Sequence, residues 1–393
     1  MAISSSEAHY IIESCLTDCR IDGRTQLEYR PYTITNRSSK DNSKIGNAAN
    51  APSLILSNGS SRIHLPGSST DVLCSIKADL VHPSSIKPNE GVLELGVDLS
   101  LCGGGGTVGQ FAGGSSSGGP KRRRQQREEE SQITSLLQRL VLPHAVDYRK
   151  LVVWPGRYVW RLCIDIVVLR CDGCVLDAAS IAMREALGNT RLPQVQAVME
   201  GADNRGAGGG AGGGNDSSTK NDLIVDGDIR NAVLPAGAEN CPLVVTVSVL
   251  SAPPLATEAA TGTSKGGGSG PSKKLHHRSI SIVDARTEEE ACASSRVCVS
   301  VDPHGMICGV HTLGGGGNGL LSEEGGEEHG GGSSMPVALL GNIVPAAAAA
   351  CKNLYNLVNN GEENNNGSRK QRNNLTDDGS GYGYLLKQHI LIQ

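Results

Sequence analysis

The chain has 393 residues, of which 51 are glycine, while aromatic residues make up only 3% of it. Its net charge of −4 excludes a globally basic nucleic-acid binder, so any RNA contact would come from a local patch or be shared with a partner. The 12 scattered cysteines, the lack of a secretory-type start and the lack of an apolar run of roughly 20 residues favour a cytoplasmic or nuclear protein that does not span a membrane.

An N-terminal helix is expected over residues 8–19, where apolar residues recur at helical spacing. Gly23 then permits a turn between Arg20 and Arg24. A purely structural turn is favoured, although these two arginines could pair with acids elsewhere in the chain. Alternating apolar residues predict strands at 32–34, 53–57, 61–65, 70–80 and 91–99, with Asn58-Gly59 as a hairpin turn between the second and third.

A basic run and a helix come next, after a linker rich in glycine and serine. Residues 121–124 (KRRR) resemble a nuclear-localisation or phosphate-binding patch. Three glutamates follow closely, so a solvated charged segment is the favoured interpretation. Apolar residues at helical spacing then predict a helix over residues 133–141 that ends before Pro143.

The most regular part of the chain lies between residues 157 and 195. Residues 159–169 are almost continuously apolar and rich in β-branched side chains, which predicts a strand buried on both faces. A turn at 171–174 leads into a helix whose apolar residues recur at three- and four-residue steps over 176–187. Asp177 lies in the first turn of that helix, where an acid interacts favourably with the helix dipole.

The second half of the chain continues this alternation of strands and helices. Strands are predicted over 241–250, 280–285, 296–301 and 306–310, with an acidic link over 288–294 and a helix containing Pro345 over 335–358. Glycine-rich segments are expected to form surface loops, because they bury too little to offset their ordering entropy; they lie at 103–120, 201–219, 256–274 and 314–334. The pattern predicts one α+β domain built of two related halves.

Few residues have the spacing of a known catalytic or metal site. Cys171-x-x-Cys174 could bind a metal or act as a redox pair, but no second ligand pair follows, so structural cysteines are favoured. G-x-S-x-G, H-E-x-x-H and P-loop motifs do not occur. Asp284 and residues 288–290 follow a predicted strand, where acids could hold Mg²⁺ for phosphoryl transfer, although a solvated turn is favoured.

Several motifs in order nevertheless resemble one family. They are R-x-D-G-R at 20–24, N-G-S-S-R at 58–62, T-D-V-L at 70–73, K-P-N-E-G at 87–91, W-R-L-C-I-D-I at 160–166, D-G-C-V-L-D-A-A-S-I-A at 172–182, N-T-R-L-P at 189–193 and V-D-A-R-T-E-E-E at 283–290. Together they resemble the RNase PH-type subunits of the eukaryotic RNA exosome. The resemblance implies an RNase PH-like α+β fold, with two related β-α halves like domain 2 of ribosomal protein S5. It covers a single domain at 8–358, interrupted by the glycine-rich insertions, and leaves 359–393 as a mostly disordered tail.

Active members of this family degrade RNA from its 3′ end with phosphate as the attacking group, and the resemblance places three parts of their site here. Arg139 takes the place of an RNA-binding arginine on a helix, although a second arginine of the active pattern is absent. The phosphate-binding turn reads Gly173-Cys174-Val175-Leu176, with apolar side chains in place of a hydroxyl and a guanidinium. Asp284 and Glu290 take the places of two acids, so the resemblance implies a degenerate, non-catalytic site.

The implied role is that of a scaffold in a hetero-hexameric ring with other RNase PH-like exosome subunits and S1/KH-type cap subunits. Such a ring supports 3′-to-5′ RNA processing, including rRNA maturation and mRNA turnover, in the nucleus, the nucleolus and the cytoplasm. Neither a metal nor a cofactor is expected. Sequence-independent RNA contacts are expected from Arg139, Arg157, Arg122, Arg123 and Arg124.

Two alternatives belong to other classes of protein. One is an active, phosphate-dependent 3′-to-5′ exoribonuclease that uses Asp284 and Glu290. The degenerate turn argues against it, because the attacking phosphate would have no partner for its charge. The other is a stand-alone metal-dependent hydrolase that uses the same two acids.

Overall fold

The structure is a computed structural model that describes residues 3–35, 57–65, 70–102, 120–199, 221–252, 278–314 and 337–360. The predicted glycine-rich insertions fall almost entirely outside these ranges, as does the predicted tail beyond residue 360. The helices are α1 (Ser5–Leu16), α2 (Pro120–Leu140), α3 (Leu142–Ala145), α4 (Val175–Asn189), α5 (Thr287–Cys292) and α6 (Val337–Asn360). The chain divides into a unit of residues 1–355 and a second unit of residues 356–393.

The first sheet is built around the long central strand β6. Its strands are β1 (Thr33–Thr35), β2 (Gly59–His64), β3 (Asp71–Val81), β4 (Val92–Asp98), β5 (Val152–Trp154) and β6 (Tyr158–Arg170). Their order is β1-β2-β3-β6-β4, with β5 also paired to β6. The β4–β6 pairing is parallel, whereas β3 runs antiparallel to β6.

The second sheet is antiparallel, with strand order β10-β9-β11-β12. Its strands are β9 (Leu243–Ser251), β10 (Ser279–Val283), β11 (Ser295–Val301) and β12 (Ile307–Gly314). A separate two-stranded sheet consists of β7 (Val195–Met199) and β8 (Asn221–Val225). Each half therefore supplies a sheet and at least one helix, which confirms the predicted α+β class.

Helix α4 lies in the core and packs on β2 and β3 of the first sheet and on β9 of the second. It is apolar around nearly its whole circumference, as expected of a helix covered on both sides. Its fully buried side chains include Ala179, Met183 and Leu187. Burying a side chain of the size of leucine or methionine contributes about 1.5–3 kcal/mol, so this contact is a main source of stability.

The structure corrects several expectations. Strand β6 is buried on one face only, because its other face carries the half-exposed Arg161 and the exposed Asp165. Gly59 is not a hairpin turn but the first residue of β2, opposite Ile76, and residues 53–56 lie outside the described ranges. The predicted acidic link is helical and forms α5. Its glutamates lie in the first turn, where the helix dipole favours acidic side chains.

Candidate functional site

The turn between β6 and α4 requires unusual backbone conformations. Gly173 has φ +79° and Cys174 has φ +52°, both in the left-handed region. A Cβ at Gly173 would lie 2.3 Å from the carbonyl oxygen of Ala285, so glycine is also needed for the close approach of the next segment. The turn thus brings the N-terminus of α4 against the chain that leads into α5.

Glu290 of α5 occupies the anion position at the start of α4. The backbone N–H of Cys174 donates to Glu290 Oε1 at 2.8 Å. A carboxylate here is favoured by the amides and dipole of the helix N-terminus, as a bound phosphate would be. Val175 and Leu176, which follow in the turn, are both buried.

Glu290 is only 4% exposed, and its second carboxylate oxygen is incompletely partnered. Oε2 makes no hydrogen bond, and Arg296 Nη1 lies 3.8 Å from it. Burial raises the pKa of Glu290 to about 7, and Arg296 and the Cys174 N–H oppose that rise. The carboxyl group can therefore take up or release a proton near neutral pH.

Asp284 is enclosed by two arginines of the N-terminal segment. It is 1% exposed and has φ +47°. Arg24 Nη1 donates to its Oδ2 at 2.8 Å, and Arg30 donates to it through Nη2 at 2.6 Å and through its backbone N–H at 2.7 Å. Its two oxygens are saturated by donors, so it has no lone pair directed at a substrate in this arrangement.

The R-x-D-G-R turn supplies a second buried ion pair next to the first. Arg20 Nε donates to Glu289 Oε1 at 3.0 Å, and both side chains are fully buried. Arg20 also donates to the backbone oxygens of Val283 and Asp284. The arginines of this turn pair with distant acids, so the less favoured of the two interpretations holds, and these pairs tie the N-terminal segment to β10 and α5.

Asp177 was interpreted as an acid that favours the dipole of α4, but its environment is more specific. It is 2% exposed, and its carboxylate accepts from Thr246 Oγ1 at 2.6 Å and from the Thr246 N–H at 3.0 Å. Burial raises the pKa of Asp177 to about 7, although both hydrogen bonds oppose the rise. The helical pattern alone contains no signal for this contact, because Thr246 lies on a distant strand.

A cleft opens between α2, the start of α4 and the second sheet, with a cavity volume of about 40 Å³. It reaches Glu290 and the start of α4. Its lining residues are Glu129, Gln132, Ile133, Leu136, Cys174, Val175, Leu176, Thr246, Glu290, Arg296 and Leu313. The lining thus combines apolar side chains with the buried carboxyl group of Glu290 and the guanidinium of Arg296.

Of the arginines predicted to bind RNA, Arg124, Arg139 and Arg157 do not line the cleft. Arg139, near the end of α2, is exposed. Arg124 is exposed and pairs with Glu128 at 2.9 Å, whereas the side chains of Arg122 and Arg123 lie outside the described part of the structure. The guanidinium of Arg157 lies 5.0 Å from the ring centroid of Trp154.

Other kinds of site have little support within the residues that the structure describes. Across them, no group of three or more histidine, cysteine or acidic side chains is arranged to hold a metal ion. Burial raises the pKa of both Cys171 and Cys174, the opposite of what a reactive thiol requires. None of the described helices is long and apolar enough to cross a membrane.

Comparison with protein families identifies the class to which this two-sheet fold belongs. Residues 28–193 match domain 1 of the 3′ exoribonuclease family, called RNase PH, and residues 278–325 match domain 2 of that family. The matched segments together make up more than half of the chain. The chain therefore belongs to the RNase PH family, as its motifs indicated.

Among individual proteins, the chain is similar to the exosome complex component Rrp42 of Sulfurisphaera tokodaii. The two are 30% identical over 178 residues, which are 45% of this chain and 54% of that protein. The chain thus spans about half the length of this relative. It is also similar to the exosome complex component RRP45A of Arabidopsis thaliana, with 24% identity over 313 residues, 79% of this chain and 77% of that protein.

Among solved structures, the fold is similar to a chain of the Archaeoglobus fulgidus exosome with RNA bound to the active site. The TM-score is 0.53 and the identity 18%, with coverage of 89% of this chain and 96% of that chain. This likeness supports the fold alone.

Proposed function

We propose that this chain is a non-catalytic ring subunit of an RNA exosome. It pairs with other RNase PH-like subunits in a hetero-hexameric ring, together with S1/KH-type cap subunits, and supports 3′-to-5′ RNA processing and degradation. The observation that carries the proposal is the hydrogen bond from the Cys174 N–H to Glu290, which fills the anion position of the phosphate turn. Family membership and the exosome names of the relatives support the ring assignment.

Phosphorolysis needs a bound phosphate and a group that acts on the scissile phosphodiester. A phosphate approaching the start of α4 would meet the Glu290 carboxylate at the amide it needs. The second acid, Asp284, is held by Arg24 and Arg30, whose charges would otherwise be available to an anion. Glu290 therefore competes with a phosphate for its binding amide, and Asp284 is already occupied by its two arginines. Both features favour a scaffold over an active phosphorolytic exoribonuclease.

RNA contact in the ring is proposed to come from exposed cations outside the cleft. Arg139 is one such cation. Arg157 is another, and its guanidinium lies over the Trp154 ring, 5.0 Å from the ring centroid. Such contacts do not distinguish between sequences, which suits a ring that takes part in rRNA maturation and mRNA turnover in nucleus, nucleolus and cytoplasm.

The proposal is tested by purifying the tagged chain from its own cells and identifying its partners by mass spectrometry. We expect five other RNase PH-like proteins and S1/KH-type proteins in near-equal amounts. Recovery of the chain alone would overturn the ring assignment. The purified chain is then incubated with 5′-labelled RNA with and without phosphate. Phosphate-dependent shortening would establish the alternative, an active exoribonuclease that uses Asp284 and Glu290.

The RNA contact is tested separately in the assembled ring. Arg139→Glu is expected to reduce ultraviolet crosslinking to RNA, because it reverses a charge near the RNA backbone. Arg230→Glu serves as a matched control, since Arg230 is also exposed but was not assigned to the RNA path. Equal crosslinking by the two variants would remove Arg139 from the proposed path.

A further inference from the structure

Asp177 is a buried carboxyl group whose hydrogen-bond partners are all neutral. It lies in the first turn of α4 and is 2% exposed. Thr246 is hydrogen-bonded to it through Oγ1 at 2.6 Å and through its backbone N–H at 3.0 Å, and the hydroxyl of Tyr29 donates to it at 3.4 Å. The thiol of Cys174 lies 3.9 Å away. No ion pair in the described part of the chain includes Asp177.

The arginines of this region pair with other acids instead. Arg24 and Arg30 bind Asp284 at 2.8 and 2.6 Å, and Arg296 lies 3.8 Å from Glu290. Because desolvation disfavours the charged form, a buried carboxyl group without a counter-charge binds its proton more tightly than an exposed one. Its burial and its neutral partners therefore indicate an acid that keeps its proton up to neutral pH.

We propose that Asp177 is a proton-dependent switch in the contact between α4 and β9, neutral while the two elements are packed and charged when the contact loosens. This contact matters for the whole fold, because α4 also packs on β2 and β3 and so joins the two sheets. Ionisation places an uncompensated charge between these elements, whereas the neutral acid forms its hydrogen bonds without one. The switch does not depend on the ring assignment.

The hydrogen bonds of Asp177 fit a neutral carboxyl group. Oδ2 accepts from the Thr246 N–H, and the 2.6 Å separation of Oδ1 from Thr246 Oγ1 suits a hydrogen bond that the acid itself donates. The Thr246 hydroxyl then directs its own proton to Cys298 Sγ at 3.7 Å, in a pair where either atom can be the donor. When Asp177 releases its proton to solvent, this hydroxyl has to turn back toward the carboxylate.

The titratable groups around Asp177 are acids, buried thiols and one phenol. They lie near α5, in the turn before α4, on β11, on α6 and in the N-terminal segment: Asp284, Glu290, Cys174, Cys298, Cys351 and Tyr29. Burial raises the pKa of the thiols and of the phenol, so they are neutral at neutral pH.

The balance of these effects favours the neutral acid. Burial raises the pKa of Asp177 to about 7, the two hydrogen bonds from Thr246 oppose that rise, and the charges of Asp284 and Glu290 add to it. The dipole of α4 favours the charged form, but Glu290 already accepts from an amide at the start of that helix.

The experiment is a pH titration of the full chain by ¹³C NMR, with aspartate labelled at the side-chain carboxyl group. Asp177→Asn identifies the Asp177 signal by removing it. We expect a midpoint at about pH 7, well above the value of about 3.9 for an ordinary aspartate. A midpoint below about pH 5 would overturn the proposal, because Asp177 would then be charged throughout the neutral range.

The same variant tests the effect on folding, since an amide keeps the size and the hydrogen-bonding pattern of the neutral acid. The pKa of Asp177 is higher in the folded than in the unfolded chain, so its contribution to stability is present at acidic pH and is lost as pH rises through about 7. From pH 5 to pH 8, the folding equilibrium constant should fall about a hundredfold less in Asp177→Asn than in the wild type. Asp165→Asn, exposed on β6, should keep the wild-type fall. Equal falls in all three proteins would overturn the proposal.

Two further variants decide the matter if Asp177→Asn does not fold. Thr246→Val removes the hydroxyl hydrogen bond that favours the charged form, so it should raise the midpoint of the aspartate signal that titrates at about pH 7. Glu290→Gln removes a nearby negative charge, so it should lower that midpoint. If neither change moves the midpoint, the titrating group is not at the α4–β9 contact and the proposal fails.

Discussion

A substitution of Asp284 can distinguish a structural role of this residue from a catalytic one. The informative change is Asp284→Asn, which removes a charge and preserves size. Four N–H groups of Arg24 and Arg30 donate to the two Asp284 oxygens at 2.6–2.9 Å. In asparagine, an NH₂ group replaces one of these two oxygens, so a donor would face N–H groups that are themselves donors. A catalytic acid tolerates this change structurally, whereas an acid that closes a buried ion cluster does not.

The expected cost follows from the burial of all three partners. Asp284 is 1% exposed, Arg24 8% and Arg30 4%. The remaining carboxylates are Asp22, 2.7 Å from Arg24, and Asp172, 3.6 Å from Arg30. Removing one partner of a buried pair costs about 3–5 kcal/mol, because the other charge remains desolvated. That is a large part of a typical stability of about 5–15 kcal/mol.

The assay is equilibrium unfolding in urea, followed by the fluorescence of the buried Trp160. Asp165→Asn is the control, since Asp165 is exposed on β6, and it should change the free energy of unfolding by less than about 0.5 kcal/mol. If Asp284→Asn lies within about 1 kcal/mol of wild type, the ion cluster does not hold the N-terminal segment and the structural interpretation fails.

Three further changes test the surroundings of α4. Burial raises the pKa of Glu290 from 4.5 to about 7, so the free energy of unfolding of the wild type should fall as pH rises through that range. Glu290→Gln should reduce the difference in unfolding free energy between pH 5 and pH 8 by about 2–3 kcal/mol. The same pH dependence of unfolding free energy in both proteins would contradict the burial argument. Gly173→Ala should destabilise by more than about 1 kcal/mol in urea titrations, whereas Gly188→Ala, with open space around it, should be neutral or stabilising. Arg20→Ala should cost about 3–5 kcal/mol by thermal unfolding, since it leaves Glu289 buried without its partner; a loss below about 1 kcal/mol would show that the pair is dispensable.

Most of the order of strands and helices could be predicted because it depends on local patterns, although the short strands β5, β7 and β8 were not predicted. The apolar run before the turn at 171–174 and the helical spacing after it correspond to β6 and α4. Register and burial of faces could not be predicted, since they depend on which strands lie alongside. Residues 159–169 look buried on both faces, yet the side of β6 that carries Asp165 is not covered.

The candidate site was only partly predictable for the same reason. Its backbone position follows from the motif around Gly173, whereas the sequence offers the pairing of Arg20 and Arg24 with distant acids only as an alternative to a structural turn. The hydrogen bond between the Cys174 N–H and Glu290 joins residues 116 positions apart. No local pattern specifies that contact, or the contact of Asp177 with Thr246.

On the proposed non-catalytic role, these contacts indicate how a fold of this family can be retained without phosphorolysis. A group that accepts from the N–H groups at the start of α4 stabilises the helix, whether it is a transient phosphate or a carboxyl group of the chain itself. Glu290 supplies that acceptor from within the chain, so the turn keeps its left-handed residues and its close packing on α5 without a ligand. The cost is a buried carboxylate oxygen with no hydrogen bond.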